Sequence, residues 1–192
     1  VCVTGVSGSG KSTLVHDTLY ASIQKELGTW KEKVGRNRGV TGLKQIESVE
    51  MVDQSPIGRS TRSNPATYTK AFDGIRDLFA GTRQSKIMGY SPGHFSFNVP
   101  GGRCEACQGE GIQKIEMQFM ADIELVCEEC GGTRFRKEIL QVKYRGKNIH
   151  DVLEMSVSDA IDFFTDESAI ISKLQPLEDV GLGYLRLGQS AT

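Results

Sequence analysis

The glycine-rich run at residues 5–13 constrains the fold of this chain more than any other segment. Its letters, GVSGSGKST, fit the pattern G-x-x-x-x-G-K-[ST], with a short apolar stretch, Val1–Thr4, before it and an amphipathic pattern after it. A strand, this loop and a helix form the context in which such a loop surrounds phosphate groups. Glycines let backbone N–H groups turn towards phosphate oxygens, and the helix N-terminus adds a partial positive charge. The pattern therefore predicts an α/β nucleotide-binding core.

Each residue of this phosphate loop has an expected role. Lys11 is expected to meet the β- and γ-phosphates of ATP, and Ser12 can bind Mg²⁺. The residues expected to surround the nucleotide phosphates are Gly5, Val6, Ser7, Gly8, Ser9, Gly10, Lys11, Ser12 and Thr13. A chance match in a glycine turn is the alternative.

Hydrolysis needs more than this loop, namely an Asp that supports Mg²⁺ at a strand end and a residue that orients water. The apolar residues of 49–52 predict a strand that ends at Asp53, and Gln54 follows at once. We expect this strand to place Gln54 near the γ-phosphate and its water. A surface turn is the alternative.

Two cysteine pairs, Cys104-x-x-Cys107 and Cys127-x-x-Cys130, are separated by 19 residues, a spacing typical of zinc sites built from two knuckles. Each pair precedes glycines, which let backbone amides fold back on the sulfur atoms. Four thiolates fill the tetrahedral shell of Zn²⁺, so the metal would be structural. Two disulfides or a redox pair are the alternatives, and both suit a reducing compartment poorly.

Composition excludes several classes of protein. The 192 residues contain 23 basic and 24 acidic side chains, and the five cysteines are odd in number. No apolar run approaches the ~20 residues of a membrane-spanning helix, and no secretory signal pattern opens the chain. We expect a soluble cytoplasmic protein without a membrane partner, on which any nucleic-acid surface is local.

Periodicity predicts helices on both sides of the cysteine pairs. Asn64 and Pro65 are typical of a helix start, and Ser156 followed by Asp159 is typical of a capping box. Pro176 is expected to close the last helix. The apolar faces of the predicted helices comprise Val15, Leu19, Ile23 and Leu27 up to Gly28, then Tyr68, Phe72, Ile75 and Phe79, and finally Val157, Ala160, Ile161 and Phe164. Alternation predicts half-buried strands through Ile115, Met117 and Phe119 and through Leu140, Val142 and Tyr144.

Three segments resemble the UvrA family, the A subunits of the excinuclease ABC system: GVSGSGKSTL at 5–14, DQSPIGRSTRSNPATYT at 53–69 and FSFNVPGGRCEACQGEG at 95–111. The resemblance continues through CEECGGTRF, GKNIHDVLEMSV and KLQPLEDVGLGYLRLGQSAT, and so covers essentially the whole chain. It implies a fragment of the second, C-terminal ATP-binding half, including its zinc module, of an ABC-type ATPase of bacterial nucleotide excision repair. In the family, the signature sequence follows the segment matched by residues 187–192, so we expect little ATP hydrolysis from this chain alone.

The resemblance also implies an architecture. We expect a truncated P-loop core at 1–55, a helical signature-domain arm at 56–95, a zinc-ribbon-like module at 96–140 and a helical segment at 141–192 that leads to the signature. The resemblance also implies that Lys11, Ser12 and Gln54 are the catalytic residues. Cys104, Cys107, Cys127 and Cys130 become the zinc ligands.

The partners implied are duplex DNA with bulky lesions, UvrB and a second copy of the full-length protein, within the SOS response. Arg59, Arg62 and Lys70 are candidate DNA contacts, because residues 54–92 hold six basic and two acidic side chains and phosphate contacts dominate DNA affinity. A solvated face is the alternative. Other functions that share one motif are an ABC-type transporter ATPase, a nucleotide kinase and a zinc-stabilised chaperone-like module resembling part of DnaJ.

Overall fold

The computed structural model describes residues 1–53, 55, 58, 60, 62–115, 117 and 123–191. The chain divides into two compact units, Val1–Ser55 and Pro56–Thr192. In the described part of the chain, no helix is both long enough and apolar enough to cross a membrane.

The first unit contains one long helical segment after the phosphate loop. A π-helical stretch, Thr13–Tyr20, continues into helix α1, Ala21–Glu26, and a single 3₁₀ turn follows at Leu43–Gln45. The segment ends at Gly28, whose φ of 76° lies in the left-handed region that favours glycine. The predicted helix and its glycine end are therefore confirmed.

The strands predicted at 1–4 and 49–53 are wrong. The described residues of the first unit contain no strand, because a strand requires a ladder partner and these residues offer none. Asp53 instead accepts a hydrogen bond from the Ser55 N–H at 3.0 Å, which closes a turn. The parallel sheet expected of a P-loop core is thus absent from the described part of this unit.

The second unit begins with the predicted cap at Asn64. The Asn64 side chain accepts from the Thr67 N–H at 2.9 Å, while the Thr67 hydroxyl accepts from the Asn64 N–H at 3.1 Å. The helix breaks at Lys70, whose φ is 62°, so it forms two pieces, α2 at Pro65–Tyr68 and α3 at Ala71–Gly81. Tyr68, which was predicted to share the apolar face with Phe72, Ile75 and Phe79, is instead 67% exposed, because the break at Lys70 separates its helix from α3.

Further helices complete this unit: α4 at Arg83–Met88, a 3₁₀ turn at Pro92–Phe95, α5 at Ile149–Leu153, α6 at Val157–Phe163 and α7 at Ser168–Asp179. Ser156 and Asp159 form the predicted capping box of α6. The expectation that Pro176 ends its helix is wrong. Helix α7 continues to Asp179 because Pro176 and Ser172, whose carbonyl loses its usual N–H partner, are both exposed.

One hydrophobic core joins the regions on both sides of the cysteine pairs. Phe72 stacks on Phe97 with centroids 5.0 Å apart, and Phe97 meets Phe135 edge to face at 6.2 Å. Further buried core residues come from every helix of the unit except α4, and they include Ile75, Phe79, Ile149, Leu153, Val157, Ala160, Phe164, Leu174 and Leu187. This core holds the segments that flank the cysteines.

A two-stranded antiparallel hairpin carries the second cysteine pair at its base. Strand β1, Ile112–Ile115, pairs with β2, Ile123–Val126, with Ile112 opposite Val126. The strand predicted through Ile115 starts earlier and is largely exposed, and Phe119 lies outside the described residues. The predicted strand at 140–144 is wrong, because this segment has no partner strand and forms a 3₁₀ turn at Ile139–Gln141 instead.

Candidate metal centre and phosphate loop

The four paired cysteines form one buried cluster. Their Sγ atoms all lie within 4.8 Å of one another, with 4.0 Å between those of Cys104 and Cys127 and 3.7 Å between those of Cys107 and Cys130. The four side chains are at most 9% exposed. Residues 23 positions apart in sequence therefore converge on one point, as the spacing predicts.

Glycines make each knuckle turn sharply enough to present its sulfur atoms. Gly109 has a φ of 84°, and a Cβ there would lie 2.0 Å from the Phe97 carbonyl oxygen. The N–H of Gly111 donates to the Cys107 Sγ at 3.3 Å. Only glycine permits this approach of the first knuckle to the backbone beneath it.

Backbone hydrogen bonds fix the two knuckles against neighbouring segments. The N–H of Cys104 donates to the Arg134 carbonyl at 2.9 Å, and that of Cys127 donates to the Gly111 carbonyl at 3.0 Å. The N–H of Arg136 donates to the Gly102 carbonyl at 2.9 Å. The sulfur cluster is thus held by the backbone on two sides.

The local electrostatics differ among the four thiols. Burial raises the pKa of Cys104, Cys107 and Cys130, whereas hydrogen bonding from the backbone amide of Cys130 lowers the pKa of Cys127. Burial favours the neutral thiol, and a bound cation would reverse this preference by stabilising thiolates.

The sulfur geometry fits a tetrahedral metal ion. Zn–S bonds of ~2.3 Å place tetrahedral sulfur ligands about 3.8 Å apart, which matches the 3.7 and 4.0 Å separations. All five cysteines are free thiols, so these contacts are not disulfides. The donor set and the spacing therefore suit Zn²⁺, with no position left for a further ligand.

The phosphate loop is exposed, and the Lys11 side chain folds back to hydrogen-bond with its backbone. The Lys11 Nζ donates to the carbonyl oxygens of Gly5 at 2.8 Å and Val6 at 2.7 Å. Gly8 and Gly10 have φ values of 78° and 86°, in the left-handed region that favours glycine, and so permit the turns of the loop. Ser12 is exposed at the start of the helix, so the loop offers a cation and a hydroxyl to an incoming phosphate.

The remaining predicted site residues are Gln54 and the candidate DNA contacts Arg59, Arg62 and Lys70. Gln54 and Arg59 lie outside the described residues. Arg62 forms an ion pair with Glu110 of the first knuckle, with Nη2 and Oε1 3.3 Å apart. Lys70 is exposed at the left-handed break before α3.

Sequence reasoning missed two charged residues at the cysteine centre. Glu110 binds Arg62, and Arg134 extends from behind the second knuckle to the Gly188 carbonyl at 3.2 Å. No motif marks either residue, since each partner lies tens of positions away in the sequence.

Comparisons with known proteins agree with this geometry. No protein-family model matches the chain. It is 58% identical to UvrABC system protein A of Aquifex aeolicus and 56% identical to that of Clostridium tetani, each over 191 residues, which cover 100% of the chain and 21% or 20% of the relative. The crystal structure of UvrA2 from Deinococcus radiodurans superposes with a TM-score of 0.84 and 53% identity, covering 98% of this chain and 22% of that one.

The chain belongs to the UvrA family. It spans about a fifth of the length of the curated UvrA relatives that it matches. The resemblance read from three sequence segments is thereby confirmed over the whole chain.

Proposed function

We propose that this chain is part of the DNA-damage-recognition ATPase of bacterial nucleotide excision repair. The observation that supports this function is the 56% identity of the whole chain to part of UvrABC system protein A of Clostridium tetani, together with a TM-score of 0.84 against a UvrA2 structure. The parent protein would act in the cytoplasm as a homodimer, bind duplex DNA with bulky lesions and pass it to UvrB.

The phosphate loop would bind ATP with Mg²⁺. Lys11 would exchange its two backbone carbonyl partners for phosphate oxygens, and Ser12 would ligate Mg²⁺. Gln54 would orient the water that attacks the γ-phosphate. We expect the complete ATPase to need parts that the described residues do not supply.

The four cysteines would hold Zn²⁺ as a structural ion, which cross-links the two knuckles when bound. Cys104 and Cys107 anchor the segment packed on Phe97, while Cys127 and Cys130 anchor the base of the hairpin. Arg62, which belongs to the basic segment at 54–70, forms an ion pair with Glu110 of the first knuckle. A nucleotide-driven movement of that segment would thus be transmitted towards DNA, with Arg59, Arg62 and Lys70 as candidate phosphate contacts.

A binding experiment on the full-length protein tests this function. It compares a duplex carrying one bulky adduct with the same duplex without it, each with and without ATP and Mg²⁺. We expect tighter binding to the adduct duplex and a preference that changes with nucleotide. Equal affinity for both duplexes in every nucleotide state would overturn the proposal and favour a P-loop ATPase of another class.

A further inference from the structure

Arg134 follows the second cysteine knuckle in sequence, four residues after Cys130. It adopts a φ of 71°, and its guanidinium carbon lies 5.4 Å from the centre of the Phe97 ring. The Nη1 atom is buried and has no hydrogen-bond partner within the described residues. Arg134 is half-buried, and nearby negative charge stabilises a guanidinium that is partly removed from water.

When it is loaded, the four-cysteine centre would add negative charge to that of the nearby Glu154 and Glu110 carboxylates. Four thiolates around Zn²⁺ carry a net charge of about −2. Burial lowers the pKa of Arg134, whereas Glu154, and after it Cys107, Glu110 and Cys130, act to raise it. The backbone carbonyl of Arg134 also accepts from the Cys104 N–H at 2.9 Å, which connects this residue directly to the cysteine centre. Arg134 is thus placed to neutralise a metal–thiolate centre on one side.

The Arg134 side chain also hydrogen-bonds to residues 186–191, a segment that we name the 186–191 strap. The Nη2 atom donates to the Gly188 carbonyl at 3.2 Å. The N–H of Gly188 donates to the Leu153 carbonyl at 2.7 Å, and a Cβ at this glycine would lie 3.0 Å from the Leu153 Cβ. Gly188 is therefore fixed between the end of α5 and the Arg134 side chain.

The 186–191 strap also holds the start of α2. The Leu187 carbonyl accepts from the Ala66 N–H at 3.1 Å, and the Ala191 N–H donates to the Ser63 carbonyl at 2.8 Å. One short segment therefore connects the metal centre, through Arg134, with the residues that flank the Asn64 cap.

We propose that Arg134 is a positioning residue that couples metal loading of the four-cysteine centre to the order of the 186–191 strap. The inference rests on the proposed zinc site and on no other part of the proposed function. Loading the centre would fix the guanidinium, and the fixed guanidinium would hold the Gly188 carbonyl. Without metal, the first knuckle would no longer fix the Arg134 backbone through the Cys104 N–H, and the contact between Arg134 and the Gly188 carbonyl would loosen.

The test uses the full-length protein, depleted of metal and reloaded with Zn²⁺, in wild-type form and as Arg134→Gln, Arg134→Lys and Arg136→Gln. Arg136 is a matched control, because it is exposed two positions away and pairs with Glu138. Two quantities are measured for each protein: zinc affinity by competition with a chromogenic chelator, and metal-dependent hydrogen exchange of the amides in 186–191 and in the knuckles.

In the wild type and in Arg136→Gln, we expect zinc to slow exchange in both regions. Arg134→Gln should bind zinc about 10- to 100-fold more weakly, as changes to residues that support metal ligands do. At saturating zinc it should keep the knuckle response and lose the strap response. Arg134→Lys should recover most of the affinity, because it restores the charge.

A strap response retained in Arg134→Gln at saturating zinc would overturn the coupling. Equal loss of protection with and without metal would also overturn it, because it would reduce Arg134 to a packing role. Absence of zinc binding by the wild type would remove the proposed metal centre and, with it, this inference.

Discussion

The phosphate loop and the four-cysteine centre are both marked by short motifs, yet the protein builds them in opposite ways. The loop lies in a unit whose described core residues are only Ala21 and Ile23, and its backbone is exposed. The cysteine centre is almost wholly buried, and the segments that flank it contribute Phe97 and Phe135 to the hydrophobic core. The difference teaches that the residues of the phosphate loop come from one short segment, whereas the cysteine centre is assembled from distant segments that a surrounding core brings together.

Loss of one metal ligand should have the largest effect. Cys127→Ser removes a sulfur atom that is 0% exposed, and we expect zinc content to fall from about one per chain to near zero. Structural zinc contributes roughly 10–16 kcal/mol in small zinc-binding peptides, so the knuckles should become sensitive to protease. Elemental analysis and limited proteolysis measure both, with the exposed Cys2→Ser as the control. Full zinc content in Cys127→Ser would contradict a four-thiolate site.

A matched pair of glycine substitutions tests how closely the first knuckle is packed. Gly109→Ala places a Cβ against the Phe97 carbonyl, whereas Gly131→Ala meets nothing within 4 Å, although both positions have positive φ. We expect about 1–2 kcal/mol of destabilisation from the backbone conformation at each site and about 1–3 kcal/mol more at Gly109 from overpacking. Chemical denaturation of the zinc-loaded protein measures the difference. Equal destabilisation would show that the approach to Phe97 is unimportant.

The exposed loop should respond to substitution without affecting the metal. Lys11→Ala should weaken ATP binding by about 1.5–3 kcal/mol, the typical contribution of hydrogen bonds to a charged group, while zinc content stays unchanged. Titration calorimetry and elemental analysis of the same samples measure this, with Lys25→Ala on α1 as the control. Joint loss of ATP and zinc binding would indicate general misfolding and would erase the contrast between the two sites.

The smallest effect should come from the ion pair between Arg62 and Glu110. Both side chains are partly exposed, so a double-mutant cycle of the two alanine variants should give a coupling of about 0.2–1 kcal/mol. The salt dependence of duplex binding by the same Arg62 variant tests whether this arginine contacts DNA. If Arg62→Ala lowers the salt slope of duplex binding as Lys70→Ala does, both contact phosphates. An unchanged slope for Arg62→Ala alone would limit this arginine to its pair with Glu110.

The features that sequence predicted well are those set by neighbouring residues. The caps at Asn64 and Ser156 and the glycine end at Gly28 each depend on positions within one helical turn. The convergence of the cysteines was also predictable, since ligand type and spacing define the geometry of a tetrahedral site. The membership of the UvrA family followed from longer segments and was confirmed by the comparisons.

The features that sequence missed depend on distant partners. Alternating apolar residues at 140–144 predicted a strand, but alternation cannot supply a ladder partner, and the segment folds against the core without one. The break at Lys70 was not predictable, because its left-handed conformation occurs at a residue other than glycine. Arg134 contacts Gly188 across 54 positions, so its role is visible only once the chain is folded.

The exposure of the hairpin has a consequence for strand register. All residues of β2 are exposed, and β1 has only Ile112 partly covered. A strand pair without a buried face has little to prevent a shift by one or two residues. The fixed point is the hydrogen bond from Cys127 to Gly111 at the hairpin base, where a metal ion would hold both knuckles. Zinc would therefore determine which residues of this hairpin face each other, well beyond the atoms that it touches.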